Sequence, residues 1–306
     1  MGIDSPSVQL LCCAKNVGVD FSETMMVGRQ VMCVPPDVTA SILNAIGIPG
    51  EQTTTIPQWS FAEPLFALLG ARQVLSIDAS DYEQPTKIHD FNQPLPPSLI
   101  NQFSVVYDGG TIEHVFNIPQ AFKNCMEMVR VGGHFIQVNV ANNYMGHGFW
   151  QFCPELIYRI FSRENGFQIK TVLLHEHELT PGGARITNFG RWYKVDDPAA
   201  HHCRVELTNQ MPTYISVIAQ RVADEGIFTR FPQQSDYVEA WKQTPQSIHA
   251  QPVPSSIRRG FLRPMRSFAR RCIDAVKSTH DPRTRSPFDC RYYHPISDND
   301  LIHGRI

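Results

Sequence analysis

Four places along the chain put a glycine or a carboxylate where a strand-like apolar run ends. They are Gly28 after Met25-Met26-Val27, Asp78 after Val74–Ile77, Asp90 after Lys87–His89, and Asp108-Gly109-Gly110 after Phe103–Tyr107. Open α/β sheets bind ligands in the crevice beyond the carboxyl ends of their strands. A glycine there lets a ligand approach the backbone, and a carboxylate accepts hydrogen bonds from both hydroxyls of a ribose. The bland alternative is that Asp and Gly simply end strands. As an ordered set, the four places point to a nucleoside-type cofactor. A pyrophosphate-bearing one is disfavoured, because no G-x-G-x-x-G follows the first strand and no G-x-x-x-x-G-K-[ST] occurs. Gly146-His147-Gly148 is the sole G-x-G, it comes late, and Gln151 stands where a third glycine would be.

Two histidine clusters bear on metal chemistry. His175-Glu176-His177 puts two histidines on one face of a strand, and His201-His202-Cys203 follows. Neither has a familiar zinc spacing, so no metal site is assigned. Cys12-Cys13 reads as buried packing. Eight cysteines in 306 residues make no disulfide framework, and the expectation is a reduced, cytoplasmic chain. The first twenty residues lack a basic start and an apolar stretch, Pro6 stands where myristoylation wants Ser or Thr, and no apolar run reaches ~18 residues.

Those residues need a scaffold. Hydrophobic residues make up 42% of the chain, enough for a real core. Strand-like and helix-like segments alternate through the first half, which predicts a parallel sheet with helices on both faces. Short helical patterns lie near Val38–Ile46 and over Phe61–Leu69. Asn117 and Pro119 open a helix that runs to Arg130, and Gly132-Gly133 breaks it before a strand over His134–Val140. Phe152–Phe161 reads as helix. Phe167–Leu174 and Thr213–Ala219 read as a long antiparallel pair at a sheet edge. Residues 35–60 form a Pro- and Thr-rich insertion. The fold class is therefore a Rossmann-like, mostly parallel α/β sheet with an antiparallel edge strand. Residues 1–230 form the domain, and 231–306 form a C-terminal linker and extension.

Charge is uneven. Residues 255–277 carry a net +6, which leaves −8 on residues 1–254. An acidic body disfavours nucleic-acid binding. Within the basic stretch, Ile257, Phe261, Met265, Phe268, Cys272 and Val276 form a helical stripe. Such a helix suits an anionic membrane surface, an acidic partner, or packing on the domain itself.

The stretch Phe103–Ile136, with Ile112-Glu113-His114-Val115 and then Gly132-Gly133, resembles the middle of a class I S-adenosylmethionine-dependent methyltransferase. Val74–Ser80 resembles that family's second strand with its ribose acid, His89-Asp90-Phe91 its adenine-side segment, and Pro212–Arg221 its last, antiparallel strand. The likeness spans roughly residues 22–221. It implies S-adenosylmethionine as cofactor, lined by Gly28, Arg29, Asp78, Ala79, Asp90, Phe91, Asp108 and Gly109. It also implies a small-molecule methyl acceptor, a sugar or natural-product intermediate, near Glu113, Tyr144 and Trp150. His147 or His114 would serve as base, since an imidazole suits proton removal near neutral pH. The sequence departs from the family at the first loop, Val27-Gly28-Arg29-Gln30, which has one glycine, and Asp78 follows it by 50 residues. A non-catalytic scaffold with the same fold therefore stays open. A dinucleotide-dependent dehydrogenase or epimerase lacks its fingerprint.

Overall fold

The protein is described from a computed structural model over residues 2–49, 56–177, 190–242 and 290–306. The chain begins with β1 (Gly2–Ile3) and α1 (Ser5–Asn16). Asp4 caps α1, accepting from the Ser7 amide at 3.1 Å and the Ser7 hydroxyl at 2.6 Å. Then follow β2 (Glu23–Val27), β3 (Val31–Met32), α2 (Pro36–Asn44), α3 (Glu63–Leu68), β4 (Gln73–Asp78), β5 (Lys87–Ile88), β6 (Phe103–Gly109), α4 (Ile118–Met128) and β7 (Val129–Val140). The second half adds α5 (Pro154–Ile160), β8 (Phe167–Glu176), β9 (Arg191–Val195), α6 (Pro198–His201), β10 (Thr213–Arg221), α7 (Ser235–Lys242), β11 (Tyr293–Ile296) and α8 (Asp298–Ile302).

Among the described residues, nine strands form one sheet in the order β11-β9-β8-β10-β7-β6-β2-β4-β5. The five strands from β5 to β7 run parallel. β10 enters antiparallel between β7 and β8, and β9 and β11 continue antiparallel beyond. The chain lays β4 and β5 on one side of β2, then returns to place β6 and β7 on the other. The order therefore reverses between β2 and β6, which is where a doubly wound sheet opens its crevice.

Side chains alternate across each strand, and here both faces are covered. Met25, Val27, Val106 and Phe135 face a core closed by Phe122 of α4 and by Phe161. Met26, Val105, Tyr107 and Ile136 face the other core, closed by Leu10 and Leu11 of α1, Phe66 of α3 and Leu301 of α8.

The structure departs from the sequence reading at four places. β7 starts at Val129, so Gly132-Gly133 lies inside the strand. The β6–β7 register shifts there, Gly132 has φ +87°, and a Cβ on Gly133 would come within 2.9 Å of two β6 carbonyls. α1 is a helix absent from the sequence reading, opened by the Asp4 cap and the first-turn Pro6. The β8–β10 pair exists but is interior to the sheet, since β9 and β11 lie outside it. Finally, residues assigned to the extension rejoin the fold. β11 pairs with β9, and Ile302 accepts a hydrogen bond at its carbonyl from Asn16 Nδ2 at 2.7 Å. The basic stretch 255–277 lies outside the described residues. Among the described residues, no helix is long and apolar enough to cross a membrane.

Candidate active site

The crevice starts at Gly28, directly after β2. Its φ is +69°, and its N–H donates to the Ile77 carbonyl of β4 at 2.8 Å. A Cβ there would lie 2.6 Å from Thr111 Oγ1. Two side chains close over this turn. Thr111 Oγ1 and Gln30 Nε2 both donate to the Val27 carbonyl, at 2.7 and 2.8 Å. Gln30 is fully buried, and its Oε1 has no hydrogen-bond partner among the described residues. That oxygen lies 2.8 Å from where a Cβ on Gly109 would stand. The glycines thus make room for Gln30 and Thr111. A Gly28→Ala variant should lose about 1–3 kcal/mol of stability, from left-handed strain plus the clash. Chemical denaturation checks this, and an unchanged midpoint would contradict it.

Arg29 is engaged by other parts of the chain. Its guanidinium lies 3.7 Å over the Phe61 ring, pairs with Glu63 at 2.8 Å, and donates to the Glu83 and Gln84 carbonyls. It ties the segment before α3 to the loop after β4. Asp78 ends β4 half-buried. One of its oxygens accepts from the Ala79 amide at 2.6 Å, and the other carries no bond from a described residue. Ala79 and Asp90 are exposed. The Asn92 amide and side chain bond to Asp90 at 2.9 and 2.7 Å and hold its carboxyl below the usual range. Phe91 is core, with 4% of its surface exposed.

Asp108 does not face the crevice. It is fully buried, accepting from the Thr111 and Ile112 amides through one oxygen and from Asn139 Nδ2 through the other, at 2.9, 3.4 and 2.7 Å. Burial, then the nearby Glu113 carboxyl, hold its own carboxyl well above the usual range. It braces the turn that carries Glu113 and His114. The sequence reading placed Asp108 against the cofactor; its bond from the Thr111 amide emerges only in the fold. Gln30 and Asn139 carried no signal in the sequence.

The second part of the site is assembled by that turn and by the loop after β7. The Phe149 and Trp150 amides donate to the Glu113 carbonyl at 3.0 and 3.2 Å, and Trp150 Nε1 donates to Val115. Gly148 permits this approach, because a Cβ would come within 2.9 Å of Glu113 O. The latch brings His147 to His114, with ring centroids 5.3 Å apart, over the buried Glu113 carboxylate. Both imidazoles are half-exposed, and Phe116, Met145 and Phe149 lie exposed beside them.

Tyr144 leans on His147 edge-on, stacks on Tyr214, and bonds its hydroxyl to His177 Nε2 at 2.5 Å. His177 Nδ1 lies 3.3 Å from the His175 carbonyl. Nδ1 therefore carries the proton, and Nε2 accepts from the tyrosine. Burial lowers the His177 pKa to about 4, so the ring is neutral at physiological pH. His175 and His177 do share one face, but His201 and His202 pair separately with Asp196 and Glu239. These histidines and Cys203 do not assemble a metal cluster among the described residues.

The sheet is that of a doubly wound α/β fold, reversing beside β2 and taking its late antiparallel strand next to β7. No family model matches the chain, and no curated protein matches it in sequence. Solved structures do match. A branched-chain polyamine synthase from Thermus thermophilus is 14% identical with a TM-score of 0.36; the match covers 78% of this chain and 62% of that one. A proposed methyltransferase from Bacillus halodurans is 11% identical with a TM-score of 0.39, covering 70% and 99%. A SAM-dependent methyltransferase from Thermotoga maritima is 15% identical with a TM-score of 0.33, covering 71% and 89%.

Proposed function

We propose that the protein is an S-adenosylmethionine-dependent methyltransferase acting on a small molecule. The observation that carries this reading is Asp78, a half-buried carboxylate at the end of β4 with one oxygen unengaged, beside the Gly28 turn at the sheet's switch point. The nucleoside end of the cofactor fits there, with Ala79 and Asp90 open to solvent around it. When bound, the cofactor supplies the methyl group on its sulfonium.

The protein's own part is alignment and proton removal. The acceptor would lie on the surface of Tyr144, Trp150 and the neighbouring exposed apolar side chains. His147 or His114 would take its proton, and the Glu113 carboxylate at 3.6 and 3.7 Å would steady the resulting imidazolium. The acidic body argues for a small acceptor over a nucleic acid.

One observation favours a second reading, a non-catalytic binding protein. Gln30 and Thr111 fill the inner end of the crevice, and both Asp108 oxygens, fully buried, are already engaged by the chain. Incubation with methyl-labelled S-adenosylmethionine and a panel of hydroxyl- and amine-bearing small molecules separates the two. Transfer is expected, falling about 10²–10⁴-fold in His147→Ala if that imidazole is the base. Cofactor binding without transfer to any compound would support the second reading.

A further inference from the structure

We propose that Glu113, His114 and His147 form a binding site for one divalent transition-metal ion, with zinc the best fit. Glu113 is fully buried, and neither of its carboxylate oxygens has a hydrogen-bond partner among the described residues. A buried carboxylate needs compensation by pairing, hydrogen bonds or a metal. The cationic partners within reach are the two imidazoles, while the buried Asp108 carboxyl also lies nearby and adds negative charge. His147 Nε2 lies 3.6 Å from Glu113 Oε1, and His114 Nε2 lies 3.7 Å from it. Those separations are too long for hydrogen bonds. They suit ligands that share one ion: zinc bonds of ~2.0–2.2 Å in a tetrahedron set neighbouring ligand atoms ~3.4 Å apart. The ligand atoms of all three residues lie within 4.8 Å of one another, and this is the group of three such residues found among the described ones. Both imidazoles are half-exposed, so small rotations can close the remaining gap.

The donor set is two imidazole nitrogens and one carboxylate oxygen. That set suits zinc and its transition-metal neighbours better than calcium or magnesium, which prefer oxygen. Three protein ligands leave a fourth position open. An ion there would polarise an acceptor oxygen and give His114 and His147 a ligand's role in place of the base. That consequence rests on the methyltransferase reading; the metal site does not.

The test uses the full chain, stripped by chelator and dialysed, with zinc or cobalt(II) as the probe. Equilibrium dialysis with metal analysis should show one equivalent bound, and cobalt should show the visible absorption of a low-symmetry four- or five-coordinate site. His147→Ala and Glu113→Gln should each weaken binding about tenfold or more. His147 sits on a surface loop, so its variant keeps the test valid if Glu113→Gln does not fold. A wild-type chain that binds no metal would overturn the proposal. So would binding unchanged in His147→Ala, which would place the ion on other histidines or cysteines. Neither readout involves S-adenosylmethionine, so failure here is separable from failure of the methyltransferase reading.

Discussion

An Asp78→Ala variant is expected to lose S-adenosylmethionine binding by about 100-fold or more while keeping its fold. On the proposed reading the unengaged carboxylate oxygen accepts the ribose hydroxyls, and hydrogen bonds to a charged group contribute about 1.5–3 kcal/mol each. Two such bonds correspond to two or more factors of ten. The fold should tolerate the change. Asp78 is half-buried, and its one bond within the described chain is to the adjacent Ala79 amide at 2.6 Å. The melting temperature should therefore move by no more than a few degrees. Asp78→Asn should fall between wild type and Ala, since it keeps an acceptor and loses the charge. Calorimetric titration reads the affinities. Wild-type affinity in Asp78→Ala would mean that the nucleoside does not lie at the end of β4.

The second large effect is on stability against acid. Burial lowers the pKa of His175 to about 3 and those of His177 and His134 to about 4. His175 and His177 are packed between Trp192, Tyr144 and Tyr214, and His134 lies at the start of the β7–β10 pairing. In the unfolded chain each would take a proton near pH 6.5. Below that pH the unfolded state binds protons that the folded state refuses, so stability falls as pH falls from about 6.5 toward 4. At pH 5 the loss is about 1–2 kcal/mol for each of the three. Asp4 and Asp108 work in the opposite direction, because burial holds their carboxyls above the usual range and the folded state takes up their protons first. Urea unfolding at pH 7.5, 6 and 5 should show a steep net decline, and His175→Phe should flatten it by about one proton. A stability constant from pH 7.5 to 5 would contradict the account.

The parallel half of the fold was legible because it is written in local patterns. Apolar runs ended by Gly28, Asp78 and Asp108 became β2, β4 and β6, whereas Gly132-Gly133, read as a break before a strand, lies inside β7 where its pairing with β6 shifts register. What was not legible came from contacts distant in sequence. β11 lies about a hundred residues from β9, with which it pairs, and nothing local in Tyr293–Ile296 announces that partner. The site divides in the same way. Asp78 stands where a strand-end carboxylate should, but Asp108 has the same sequence signal and turns inward to hold the Thr111, Ile112 and Asn139 donors. Sequence order cannot separate the two, because the difference lies in which neighbours supply donors. Glu113, His114 and His147 were each legible as polar candidates. Their convergence depends on the Phe149 and Trp150 amides bonding back to Glu113, a contact that no spacing rule contains.

On the proposed reading the crevice between β2, β4 and β6 holds a nucleoside cofactor. Isothermal titration of the purified chain with S-adenosylmethionine and with its demethylated product tests it most directly. The account predicts one-to-one binding in the micromolar range for both ligands, requiring Gln30 and Thr111 to yield part of the inner crevice. A well-folded chain that gives no binding heat with either ligand, and no rise in melting temperature in their presence, would contradict it.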